Sequence, residues 1–109
     1  MGAFMANWKG QKAAKLQSKG QIEEARKMYA EAVAGGMTDP RLLLAYSVLL
    51  IRAEAYQEAK DLLVKTQKAP ALNAEQKQQL FMNYAVCCFK LGDIALGIDL
   101  LEKQHLRQP

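Results

Sequence analysis

Ile22, Ala25, Met28, Tyr29, Ala32 and Val33 follow one another at three- and four-residue steps, a spacing that lines a single face of an α-helix. Tyr56, Ala59, Leu62, Leu63 and Thr66 repeat the pattern further along. Turn and cap residues mark the ends of these runs. Gly35-Gly36 closes the first, because glycine accepts the left-handed conformation at a helix C-terminus. Thr38-Asp39-Pro40 opens the next segment, with Asp39 as cap and Pro40 at the first helical position. That helix is expected to reach about Arg52, and its successor to run from Tyr56 and stop before Pro70. Asn73 with Gln76 three places later approaches a capping box and starts a helix over about 74–91. Gly92-Asp93 then turns the chain into a last helix from Ile94 to about Leu106.

One short signature occurs three times, as Gly20-Gln21-Ile22-Glu23-Glu24-Ala25, Glu54-Ala55-Tyr56-Gln57-Glu58-Ala59 and Gly92-Asp93-Ile94-Ala95-Leu96-Gly97. The second begins 34 residues after the first and the third 38 after the second. A period of this size points to stacked helix-turn-helix units, each unable to bury its apolar face alone. The four additional residues fit the connection at 68–73, where an insertion costs little. Very short turns within each unit require antiparallel helices. The expectation is one all-α domain over 1–109, with repeats at about 7–39, 40–72 and 74–109, built as an open α-solenoid.

The pattern over roughly 7–109 resembles the tetratricopeptide repeat family. The resemblance rests on small residues where paired helices cross, Ala13, Ser47 and Ala85 in one place and Ala25, Ala59 and Gly97 in another. Large residues follow at Tyr29, Leu63 and Leu101, then small or polar ones at Ala32, Thr66 and Gln104, and Pro109 closes the third unit. Leu43 with Tyr46, and Phe81 with Tyr84, match the first-helix aromatic and leucine of the family; Lys9 and Lys12 stand there in the first unit. Glu54 replaces the usual turn glycine. The resemblance implies three antiparallel hairpins winding into a right-handed superhelix that acts as a protein-binding scaffold, with first helices lining a concave groove.

By this resemblance the groove takes Asn7, Gly10, Ala14, Gln17 and Ser18 from the first unit. From the second it takes Arg41, Leu44, Val48, Ile51 and Arg52, and from the third Gln79, Met82, Val86, Phe89 and Lys90, with Asn83 beside them. Apolar rows edged by cations suit a partner's amphipathic helix or extended apolar peptide. The competing reading makes Leu44, Val48, Met82 and Val86 plain helix-packing residues. Some members of the family clamp a partner's C-terminal carboxylate with Lys and Asn. Gly10 and Ala14 occupy the leading positions of such a clamp here, and only Asn83, Arg52 and Lys90 resemble its later members.

Half of the 109 residues are apolar, enough for a continuous core. No apolar run approaches the roughly 20 residues that a spanning helix needs, and Met1–Met5 is too short for a signal-peptide core. The apolar start is also what a piece lacking an upstream anchor would show. Cys87 and Cys88 are adjacent and cannot easily bridge. They read as core thiols in a reducing, cytoplasmic setting. His105 stands alone, and the acidic residues mark turns and helix starts. No catalytic group, metal or cofactor is therefore expected. Leu96, Leu100 and Leu106 on the last helix are expected to stay partly uncovered, which offers self-association as a homodimer as the alternative to partner capture. The net charge of +4 is modest. Lys9, Lys12, Lys15 and Lys19 nevertheless span an arc of about 120° around Trp8 on the first helix. Such an arc serves solubility at a terminal repeat, or contact with a membrane surface or, less favourably, nucleic acid.

Overall fold

The computed structural model describes residues 2–69 and 71–107, with side chains described through Gln104. The expectations placed on Pro70, Pro109 and the side chains of His105 and Leu106 lie outside that set. Six helices account for the regular structure of the described residues, which contain no strand. They are α1 (Gly2–Ser18), α2 (Ile22–Ala34), α3 (Pro40–Arg52), α4 (Tyr56–Gln67), α5 (Ala74–Leu91) and α6 (Ile94–Arg107). The expected caps are in place. Asp39 accepts from the Arg41 amide with Pro40 at the helix start, and Asn73 and Gln76 form a reciprocal capping box.

The three turns within helix pairs share one backbone solution. Gly20, Glu54 and Gly92 all adopt positive φ, at 81°, 61° and 87°. Immediately after them the amides of Gln21, Ala55 and Asp93 donate to the carbonyls of Leu16, Leu50 and Cys88. This wrapped C-terminal bond satisfies a carbonyl that the helix leaves orphaned. Glu54, which carries a Cβ, holds the conformation at a steric cost that the two glycines avoid.

Each helix packs on its hairpin partner, α1 on α2, α3 on α4 and α5 on α6. Across pairs, α1 touches α3 and α3 touches α5, while α2 touches α3 and α4 touches α5. Small residues permit these crossings. Ala13, Ser47, Ala25 and Ala59 have no exposed surface, and Ala85 is as good as buried. At Gly97 an added Cβ would lie 2.7 Å from the Phe89 ring, so α6 approaches α5 closely only without a side chain there. Ser47 and Thr66 are buried polar residues that donate to the carbonyls of Leu44 and Leu62, which removes the penalty of an unmet hydroxyl.

Tyr29 joins three helices. Its ring stacks on Tyr46 with centroids 4.9 Å apart, and its hydroxyl donates to Gln17 Oε1 at 2.6 Å. Gln17 Nε2 in turn donates to the Ala45 carbonyl. Burial pushes the Tyr29 hydroxyl from 10 up to about 12. Burial, with Cys88 adding a smaller contribution, raises the Cys87 thiol from 9 to about 11. Both are acids whose folded pKa exceeds the unfolded one, so their stabilising share is complete below pH 9 and is lost as pH rises through 12. We expect about 2–3 kcal/mol to disappear per group over that span. Urea titrations at stepped pH check this. Tyr29→Phe should flatten the loss above pH 10, and Cys87→Ala the loss that begins near pH 9.

Candidate functional site on α3 and α5

Seven first-helix cations, Lys9, Lys12, Lys15, Arg41, Arg52, Lys77 and Lys90, share α1, α3 and α5 with a single acid, Glu75. The acidic residues concentrate in α2, α4 and α6 and in the turns. Two of the first helices also present apolar side chains to solvent. On α5, Met82, Val86 and Phe89 are 46%, 37% and 36% exposed. They lie at steps of four and three residues, with Gln79 and Lys90 exposed at the two ends of the row. On α3, Val48 and Ile51 are half-buried and Arg52 is exposed. Val48 and Val86, like Ile51 and Phe89, occupy equivalent places in helices that pack side by side. Together they form a shallow apolar strip with a cation at the C-terminal end of each helix.

Asn83 adds a polar feature to this strip. Its Nδ2 is buried and finds no hydrogen-bond acceptor, although a buried amide donor without a partner is costly. Lys90 Nζ lies 6.0 Å from the Tyr56 ring centroid, which places it at the α4 side of the strip.

Several residues expected in the groove are placed elsewhere. Leu44 is only 2% exposed and belongs to the core, which corrects its assignment to the strip. The reason is position: α3 is packed by α1, α2, α4 and α5, so its buried arc is wider than that of an end helix. Phe89 is shared, one edge of its ring covering Gly97 on α6. Arg41 is drawn back to its own helix start, where it binds Asp39 Oδ2 at 3.0 Å. The Arg41 hydrogen bond holds the Asp39 carboxyl below its usual range.

The first unit contributes little to this face. Gly10 is buried beneath Met37 and Leu42, and Gln17 is committed to Tyr29. Asn7 Oδ1 accepts from the amides of Thr38 and Asp39, latching the loop before α3. On the outer arc of α1, Lys9 is paired with Glu31 at 3.0 Å, so three of the four lysines remain unpaired among the described residues. Lys12 Nζ sits 4.1 Å from the centre of the Trp8 ring.

At the far end of the fold, Leu96 is half-buried, as expected, whereas Leu100 is buried, which corrects its expected exposure. Ile94 and Ile98 are the large apolar side chains of α6 left uncovered among the described residues, at 50% and 46%. A cleft of ≈ 810 Å³ opens where the end of α2, the loop before α3 and the end of α4 meet, floored by Met37, Leu43 and Leu62 and edged by Lys65 and Lys68. Nothing in the helical periodicity points to it; the one sequence signal is Met37, an apolar residue inside a turn. Cys87 and Cys88 are buried and unbridged. Burial raises both thiols, so they are protonated and unreactive near neutral pH. No described helix is long and apolar enough to cross a membrane. Compared with protein-family models, curated proteins and solved structures, the chain matches none.

Proposed function

We propose that this chain is a tetratricopeptide-like scaffold. Its three antiparallel helix pairs wind as a right-handed solenoid, and the exposed strip on α3 and α5 lies on the concave side and captures a segment of another protein. The strip takes the apolar side chains of an amphipathic helix or extended peptide. Arg52 and Lys90 meet its polar end, and the Asn83 amide, once its side chain turns outward, donates to its main chain. The scaffold works by offering a preformed surface in the cytoplasm, without cofactor, metal or chemistry of its own.

The observation that carries this reading is the uncovered apolar row Met82, Val86 and Phe89 beside the partnerless Asn83 donor. An uncovered apolar row is what a docked peptide would cover, and an outward turn of the Asn83 side chain would let the same peptide meet its buried donor. The shared turn geometry at Gly20, Glu54 and Gly92 supports the repeat reading.

Panning a random peptide library on the immobilised protein tests it. Enriched sequences should carry apolar residues three and four apart, and Asn83→Ala should weaken the selected peptides several-fold. Recovery without any apolar consensus, or peptides indifferent to substitutions on α5, would remove the groove as the site of action.

A further inference from the structure

A second surface lies on α1. The buried stripe of α1 is Ala6, Gly10 and Ala13. At about 100° per residue, Phe4, Trp8, Lys12 and Lys15 cluster within about 80° on the side facing away from that stripe. Phe4 is 77% exposed and Trp8 and Met5 are 49% exposed each. The helix contains no acidic residue. Glu31 binds Lys9 at the margin of this face, and Lys12 and Lys15 have no acidic partner among the described residues.

We propose that this outward face of α1 docks on an anionic lipid surface. The order of side chains along the helix fits that occupant. The apolar group Phe4, Met5 and Trp8 occupies the first two turns and the free lysines the later ones. Aromatic rings settle at headgroup depth, while lysine stems lie along the apolar boundary and carry their charge to the phosphates. Single-stranded RNA fits less well, because it needs open aromatic faces for stacking. Trp8, the aromatic residue nearest the lysines, has one face covered by Lys12, and the open ring of Phe4 lies two turns before Lys12. A few apolar side chains with two or three cations give reversible binding that requires anionic lipid. The proposal is independent of the α3–α5 strip, with which this surface shares no residue.

Trp8 is the sole tryptophan of the chain and reports directly on this surface. Titration with phosphatidylcholine vesicles containing phosphatidylglycerol should shift its emission to the blue and saturate. Phosphatidylcholine alone should leave it unchanged, and added salt should reverse the shift. Lys12→Gln/Lys15→Gln should weaken partitioning roughly 30-fold, and Phe4→Ser should weaken it further, with helical circular dichroism intact in each variant because the substituted side chains are exposed. Val48→Glu/Val86→Glu should partition as the parent does. The proposal is overturned by an unmoved spectrum at excess anionic lipid, by equal partitioning onto neutral vesicles, or by indifference to the double lysine substitution. Tighter quenching by a single-stranded RNA oligomer at the same salt would assign the face to nucleic acid instead. A shift that depends on protein concentration without lipid would assign it to a second copy of the chain.

Discussion

Tyr29→Ala should destabilise the protein by about 3–5 kcal/mol, the range for truncating a fully buried large aromatic side chain. Three losses combine in this one change. The ring is completely buried and leaves a void bordered by α1, α2 and α3. Its stack on Tyr46 is lost, an interaction worth about 0.5–1.5 kcal/mol beyond area. Gln17 Oε1, half-buried, also loses its donor, and a hydrogen bond of this kind contributes about 0.5–1.5 kcal/mol. These terms overlap, so their sum is not the expected value; the range for the whole truncation is. Domains of this kind have only about 5–15 kcal/mol in total, so the variant should approach half-unfolding at low urea.

Tyr29→Phe isolates the hydrogen bond and should cost about 1–2 kcal/mol. Arg26→Ala removes a solvent-exposed pair with Glu58 and should cost under about 1 kcal/mol. Urea midpoints for the three variants place them in that order. A Tyr29→Ala midpoint close to that of Arg26→Ala would mean that the first two helix pairs are not joined through this side chain.

Most of this architecture is legible in the chain because it depends on local rules. Turn residues, caps and the three- and four-residue apolar steps set where most helices start and stop, and α2 to α6 occur where those signals place them, while α1 starts at Gly2, ahead of the expected first repeat. Small residues such as Ala13, Ala25 and Ala59 mark helix crossings, since only they permit backbones to approach. Periodicity gives the direction of a side chain but not the width of the arc its neighbours will cover. Leu44 and Met82 hold equivalent places on α3 and α5, yet the central helix is packed by four others and buries its leucine, whereas the later helix leaves its methionine open. Charge pairing is similarly non-local. Lys9 leaves the basic arc because Glu31 sits 22 residues later on the adjacent helix, and no spacing rule announces that. The cleft above Met37 depends on three segments meeting, a property of the assembled fold alone.

Val48→Glu/Val86→Glu should abolish peptide capture, with a loss of at least about 100-fold in affinity, while changing fold stability by less than about 1 kcal/mol. The asymmetry follows from exposure. Val86 is 37% exposed and Val48 half-buried, so each carboxylate can reach water in the free protein. In the complex the same carboxylates would be trapped beneath the ligand's apolar side chains, where an unpaired charge is severely penalised. The wild-type affinity itself is bounded. Five partly covered side chains yield roughly 1–1.5 kcal/mol each, and association removes several kcal/mol of that gain. These contacts alone should therefore hold a short peptide no tighter than about the millimolar range, about 4 kcal/mol at best, and a tight partner must extend beyond the strip. Calorimetric titration of a panned peptide against both proteins measures the difference, with urea midpoints as the control for folding. Unchanged affinity in the double variant would place capture elsewhere on the molecule. A collapsed urea midpoint would instead make Val48 and Val86 packing residues, the role that burial assigns to Leu44.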